Sequence, residues 1–217
     1  KIKLDNFDLV VVPEHDNLDG DNVLKTKGAI HYLTSEEIEK DKEYLFSISS
    51  KLRDKNIISL IIGGPTQYYD YSDRNIQEIF SKVNYLVKEN NLNLVVIPSM
   101  RTPKGTIEHA KIYFGNDHLV LDGVDKKAYL SALAISKHIV ITCDSSSMIS
   151  EAALTGKPIY IATIPPKKSD KRFKNFRKLF QEMKIVRELG EKLENWNYEK
   201  LDETNRVANI IKDKIQL

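Results

Sequence analysis

The chain has 217 residues, 41% of them hydrophobic, enough for one large domain or one domain plus part of another. Its 33 basic and 31 acidic residues leave a formal charge of +2, which does not advertise nucleic-acid binding. A single cysteine, Cys143, excludes an intrachain disulfide and a cysteine-built zinc site and suits a reducing compartment. No apolar run reaches the length of a membrane span, and the charged start from Lys1 to Asp8 is no signal peptide, so a cytoplasmic location is expected. The chain starts at lysine and reaches a strand-like run almost at once, which reads as a fragment whose N-terminal portion is missing.

Phe7 to Val12 predicts a short strand ending at Pro13, followed by a turn-rich stretch from Asp16 to Asp21. Thr34-Ser35-Glu36-Glu37 has capping-box spacing and predicts a helix running to about Arg53. Alternation then sets in. Ile57 to Ile62, rich in β-branched isoleucine, reads as a strand buried on both faces, and Gly63-Gly64-Pro65 ends it. Ser72 caps a helix in which Ile76, Ile79, Phe80, Val83, Leu86 and Val87 recur at helical spacing. Leu92 to Ile97 is the next strand, and Thr102 and Pro103 fit the cap and first turn of another helix. A short strand at Leu119–Leu121 and a helix at Lys126–Ser136 lead to a strand at Ile139–Thr142. A helix over Asp144–Thr155, a strand at Ile159–Ala162, a basic helix at Lys171–Met183 and a closing helix at Asp202–Ile215 complete the order. Strands alternating with helices imply a doubly wound, Rossmann-like α/β domain around a parallel sheet, with its ligand beyond the C-terminal strand ends.

The stretch from Asp144 to Pro158 carries the most chemistry. Asp144, Ser145, Ser146 and Ser147 open a helix with hydroxyls and free backbone amides, where an anion binds a parallel sheet. Glu151 lies about a turn further on, near enough to meet a sugar hydroxyl. Gly156 suits the helix end and Pro158 forbids its continuation. The serines lack the G-x-S-x-G elbow of a hydrolase, so capping or phosphate binding is their expected work. Gly63, Gly64, Pro65 and Thr66 permit close backbone approach to a diphosphate, against the plainer reading of a tight turn. Arg101 and Thr102, after the next strand, suit a diphosphate clamp.

Several motifs together resemble the elongated-mitochondria family, the plant mitochondrial-fission protein and its bacterial relatives. They are Val12-Pro13-Glu14-His15-Asp16, Ile62-Gly63-Gly64-Pro65, Ser99-Met100-Arg101-Thr102-Pro103 and Thr142 to Ala152, with Trp196-Asn197-Tyr198 and Leu201 to Thr204 near the end. The helix-opening loop, Glu151 and Gly156-Lys157-Pro158 also resemble the nucleotide-sugar half of GT-B glycosyltransferases. The resemblance implies the C-terminal half of a GT-B-like architecture over residues 55–217. Residues 1–54 are then a remnant of the N-terminal domain with its linker. It implies a nucleoside-diphosphate sugar as donor substrate and no other cofactor, with the diphosphate on Gly63 to Thr66, Arg101, Thr102 and Asp144 to Met148. Glu151 would hold the ribose. Retaining members of the fold carry a second glutamate eight positions earlier; here that position is Cys143, which leaves an inverting transferase or a binder without chemistry. A nucleotide-sugar epimerase and a silent scaffold are the other readings.

An inverting transferase needs a base, and Glu14, His15 and Asp16 are the candidates, against a local loop arrangement. Asp19-Gly20-Asp21 matches a D-x-D metal motif but sits in a turn cluster, so no metal is expected. Lys167 to Lys178 holds seven basic residues and one acid. Core packing with a solvated basic face accounts for it, and contact with an anionic membrane surface is the alternative.

Overall fold

The computed structural model describes residues 3–215. Strands β1 (Val10–Pro13) and β2 (Val23–Thr26) pair in parallel as a small sheet of their own, joined through a 3-10 turn at Glu14–Asp16. β1 starts three residues later than the apolar run suggests. β2 is half-exposed along three of its four residues, so no buried pattern announces it.

The single helix expected from Thr34 to Arg53 is three pieces: α1 (Ser35–Lys40), α2 (Tyr44–Ile48) and a 3-10 turn at Ser50–Asp54. Thr34 caps α1 as its spacing predicts, its hydroxyl accepting from the Glu37 amide at 3.2 Å. A side chain from elsewhere causes the break. Ser131 Oγ donates to the Lys42 carbonyl at 2.8 Å and accepts from the Leu45 amide at 3.1 Å. It thereby takes two backbone groups that a continuous helix would pair internally. The pieces still bury Ile38, Leu45 and Leu52 in the main core.

That core surrounds a six-stranded, wholly parallel sheet. Its strands are β3 (Ile57–Ile62), β4 (Asn93–Pro98), β5 (Leu119–Val120), β6 (Ser136–Thr142), β7 (Ile159–Ala162) and β8 (Val186–Glu188), in the order β5-β4-β3-β6-β7-β8. Every residue of β3, β4 and β7 is buried, Ser59 and Asn93 included, which is why they read as mainly apolar runs with no polar face. β8 escapes sequence reading because only Val186 of its three residues is buried.

Helices connect the strands: α3 (Asp73–Glu89), α4 (Lys104–Phe114), α5 (Lys126–Ile135), α6 (Ser146–Ala153) and α7 (Lys171–Glu182), with α8 (Glu203–Ile215) last. α3 buries the six residues that its period picks out. Asp125 caps α5 and Asp202 caps α8, each accepting from an amide three residues on at 3.0 Å. The N-cap position of α4 is Pro103, which makes no side-chain capping bond, rather than Thr102, whose hydroxyl is used elsewhere. Past α6 the chain reverses through Gly156 at φ +71°, a conformation that favours glycine.

The chain runs outward from β3 to β4 and β5, then returns through α5 to β6 on the other side of β3. Between β3 and β6 the winding direction therefore switches. The loops after these two strands diverge there and leave a crevice, where ligands bind open α/β sheets.

Candidate functional site

Two loops meet at the switch point, Gly63 onward after β3 and Cys143 to Ser145 after β6. Ser145 is the N-cap of α6. Its hydroxyl accepts from the Met148 amide at 3.4 Å and its carbonyl from the Ile149 amide at 3.2 Å. The amides of Ser146 and Ser147 precede the helical ladder, at the positive end of the helix dipole. Ser147 is exposed, and Ser145, Ser146 and Met148 are half-buried, so this helix end is open to a solute.

Beneath it lies a buried carboxylate. The Asp144 side chain is 0% exposed. Its Oδ1 accepts from the Tyr71 hydroxyl at 2.5 Å and from the Thr142 hydroxyl at 2.7 Å. Its Oδ2 accepts from the Gly64 amide at 3.1 Å and from Arg101 Nη2 at 2.8 Å. Four donors satisfy the charge, which is what a buried carboxylate requires. Thr142 Oγ1 in turn accepts from the Gly63 amide at 2.8 Å. Burial, and next the Asp144 charge, hold the Tyr71 phenol far above its ordinary pKa, so it stays protonated and donates.

The glycine pair is consumed inside this network. Both amides are donated, the Gly64 carbonyl accepts from Arg101 Nη1 at 3.3 Å, and the Gly63 carbonyl accepts from the Thr102 hydroxyl at 2.7 Å. A Cβ on Gly63 would overlap the Asp144 carboxylate, and one on Gly64 would overlap the Arg101 carbonyl. Glycine is needed here for loop-on-loop approach. Thr102 also accepts from the Ser99 amide at 2.8 Å, stitching the loop after β4 to the end of β3. Thr66 closes a local turn by accepting from the amides of Tyr68 and Tyr69 at 3.0 and 3.2 Å, and Pro65 is exposed. Arg101 is pinned by its bonds to Asp144 and the Gly64 carbonyl, and its side chain is 43% exposed.

Glu151, on the second turn of α6, is half-buried, and its Oε2 accepts from the Tyr129 hydroxyl on α5 at 2.6 Å. Burial, and then the Glu151 charge, push the Tyr129 phenol well above its usual range, so the proton stays on the tyrosine. Cys143 is held in the interior. Its buried sulfur accepts from the Ile164 amide at 3.3 Å, and burial pushes the thiol up to about 11.

The remaining candidates sit elsewhere. Glu14, His15 and Asp16 form the 3-10 turn that packs on α7. Glu14 pairs with Lys27 at 2.6 Å and Asp16 with Arg172 at 2.5 Å. The His15 side chain is 7% exposed, lies edge-on to Phe176 with ring centroids 5.4 Å apart, and leaves Nδ1 without a partner. Burial lowers its pKa, Asp16 opposes that, and Arg172 adds to it. Among the described residues no hydrogen bond joins this trio to the Asp144 network. Asp19 of the D-x-D stretch pairs with Lys25 at 2.5 Å, and among the described residues no group of three His, Cys, Asp or Glu side chains could hold a metal ion. α7 buries Phe176 and Phe180 and exposes Lys171, Arg172, Lys174 and Lys178. Among the described residues no helix is long and apolar enough to cross a membrane.

Sequence reasoning missed the two tyrosines. Tyr71 lies in Gln67-Tyr68-Tyr69-Asp70-Tyr71, where nothing separates it from its neighbours, and Tyr129 is one more residue on an apolar helix face. Tyr69 shares a further buried cluster. It donates to Asp170 at 2.6 Å, and Arg177 donates to both Tyr69 and Asp170, at 2.8 and 3.0 Å.

Comparison with known proteins places this geometry. The protein is similar to S. aureus MnaA in its UDP co-structure (TM-score 0.51, 16% identity, 97% of this chain and 60% of that one). It is also similar to UDP-GlcNAc 2-epimerase from Neisseria meningitidis bound to UDP-GlcNAc (TM-score 0.52, 13% identity, 93% and 56%). At these identities the likeness establishes the fold, the C-terminal half of a GT-B-like architecture. In sequence it is 28% identical over 209 residues to an uncharacterised protein of Rickettsia prowazekii and 26% identical over 247 residues to mitochondrial fission protein ELM1 of Arabidopsis thaliana. It covers 90% and 98% of itself in these matches, and 56% and 55% of the relatives, so the chain spans about half their length. A family model described as Mitochondrial fission ELM1 matches residues 1–215, and the protein belongs to that family.

Proposed function

We propose that the protein binds a nucleoside-diphosphate sugar at the β3–β6 switch point and, as part of a GT-B-like enzyme, transfers the sugar with inversion. The observation that carries this is the open N-terminus of α6 beside the exposed edge of Arg101, both above a fully satisfied Asp144. In this reading the amides of Ser146 and Ser147, the hydroxyls of Ser145 and Ser147 and the free edge of Arg101 hold the diphosphate. Gly63, Gly64, Pro65, Thr66, Thr102 and Asp144 form the floor that shapes the site, and Met148 lines its edge. Glu151 reads the ribose. Cys143, buried where retaining enzymes carry a carboxylate, supports inversion. Glu14 and Asp16 are paired with Lys27 and Arg172, and His15, whose unpartnered Nδ1 is buried against α7, would serve as the base only once its ring is uncovered.

A nucleotide-sugar epimerase is the second reading, favoured by the likeness to the Neisseria enzyme bound to UDP-GlcNAc. Within residues 1–54, β1 and β2 fit the neighbouring half-domain, since they stay outside the main sheet, and the stretch carrying Ile38, Leu45 and Leu52 fits a linker docked on the main core. The exposed lysines of α7 support peripheral contact with an anionic membrane on the cytoplasmic side.

Calorimetric titration with UDP, ADP, GDP and their common sugar conjugates tests the binding reading. Saturable binding of at least one nucleoside diphosphate is expected. No binding across the panel would leave a scaffold that has kept the fold without the ligand. Product analysis with the bound conjugate then separates transfer to an added acceptor from inversion within the sugar.

A further inference from the structure

We propose that Tyr71 is a positioning residue, acting through the buried Asp144 carboxylate to fix Arg101 in the pose that receives a diphosphate. The inference rests on the nucleotide-binding reading of the same crevice and names a residue that the sequence did not single out.

The Tyr71 and Thr142 hydroxyls lie 2.9 Å apart and both face Asp144 Oδ1. Each has one proton. Thr142 Oγ1 already accepts from the Gly63 amide, so the arrangement closes when both hydroxyls donate to the carboxylate. Oδ2 then serves the Gly64 amide and Arg101 alone. A guanidinium carries five N–H groups in a rigid fork. Arg101 uses one on Asp144 and one on the Gly64 carbonyl, which leaves the others on its exposed side. Half of the fork is therefore locked by a carboxylate with no exposure to water, and the other half is presented to solvent beside the start of α6.

Removal of the Tyr71 hydroxyl leaves Oδ1 with Thr142 as its one donor. A buried carboxylate short of a donor is costly, and it recovers by rotating or by drawing its remaining partners inward. Arg101 is the partner with slack, because its far side is exposed. Its fork would tilt toward Asp144 and away from the crevice, so the loss of the Tyr71 hydroxyl would reach a ligand through Arg101. A purely structural tyrosine would loosen the fold without regard to Arg101.

A double-mutant cycle distinguishes the two roles. UDP affinity is measured by calorimetry for the unaltered protein, Tyr71→Phe, Arg101→Ala and the double variant, with thermal melting as the folding control. Tyr71→Phe is expected to lower UDP affinity at least fivefold, equivalent to about 1 kcal/mol. In the Arg101→Ala background the same change is expected to cost less than about twofold. Equal losses in both backgrounds overturn the proposal. Asp144→Asn, which keeps the shape and removes the charge, is the second variant. It is expected to show the same dependence on Arg101, and the proposal fails if whichever variant folds shows none.

A readout independent of nucleotide is the Arg101 side-chain signal in nitrogen-15 NMR, identified by its loss in Arg101→Ala. It is expected to shift or broaden in Tyr71→Phe. An unchanged signal sinks the latch even where UDP binds. A protein that binds no nucleoside diphosphate, yet shows the shift, keeps the latch and loses the nucleotide reading.

Discussion

Glu151 is the residue whose role is easiest to isolate. Its Oε2 is already taken up by Tyr129, which orients the carboxylate and leaves Oε1 as the freer acceptor. A ribose hydroxyl on Oε1 would make a charge-assisted bond worth about 1.5–3 kcal/mol. Glu151→Gln keeps the shape and loses the charge, so affinity for a ribonucleotide is expected to fall about tenfold. The 2′-deoxy nucleotide should lose less on mutation, because one partner hydroxyl is already absent. Calorimetry of both ligands on both proteins checks this, and equal losses would remove Glu151 from the ribose site. Gly64 makes a different prediction at the same scale. An added methyl would meet the Arg101 backbone carbonyl, which cannot swing aside as a side chain can. Gly64→Ala should cost about 1–3 kcal/mol through overpacking. For a chain of this length that lowers the melting temperature by roughly 2–12 °C. A melt within a degree of the unaltered protein would show that the loops after β3 and β4 are not locked together.

At the scale of elements, the start of α6 offers a substitution that separates folding from binding. Ser145 caps the helix, and aspartate is at least as good a cap, with a charge that suits the positive helix end. Ser145→Asp should therefore leave thermal stability unchanged or slightly higher. The same charge would stand where the diphosphate is proposed to bind, and UDP affinity should fall at least tenfold, more steeply at low salt. Retained affinity would place the anion elsewhere. The start of α6 was legible because hydroxyl residues, a helix-length run and a Gly-Lys-Pro stop follow one another without interruption. β3, β4 and β7 were legible because both of their faces are buried, whereas β2 and β8 bury too little of their length to mark the sequence. The break between α1 and α2 could not be read locally, since Ser131 imposes it from 86 residues away. The working order of the crevice was hidden for the same reason. The glycines point to close approach, but what approaches is Asp144 and the Arg101 backbone, and both are placed by the fold.

Across the whole molecule, acid stability follows from histidines that folding keeps neutral. His138 on β6 is 4% exposed and its Nδ1 has no partner, and burial, with Lys137 adding to it, pulls its pKa down to about 4. His118 accepts the Leu94 amide on Nδ1 at 3.4 Å, and burial lowers its pKa too, as it does for His15 against α7. These rings lie in separate parts of the molecule, so no single loop opening relieves them all. The unfolded chain protonates its histidines near pH 6.5, about the value for a free side chain. Folded His138 resists until about pH 4. Between those values the unfolded state binds more protons, so stability rises with pH and is lost as pH falls through the window. Each such ring contributes a slope of at most about 1.4 kcal/mol per pH unit. His138→Leu removes a titrating group that has no Nδ1 hydrogen bond to lose, and it fills the same apolar site. Its stability at pH 7 should match or exceed that of the unaltered protein. Its slope between pH 6.5 and 4 should be shallower, while His15 and His118 preserve the rest. Urea unfolding at half-unit pH intervals measures both quantities. Parallel curves for the two proteins would show that His138 takes up its proton in the folded state as readily as in the unfolded one, and that its burial within β6 carries no electrostatic cost.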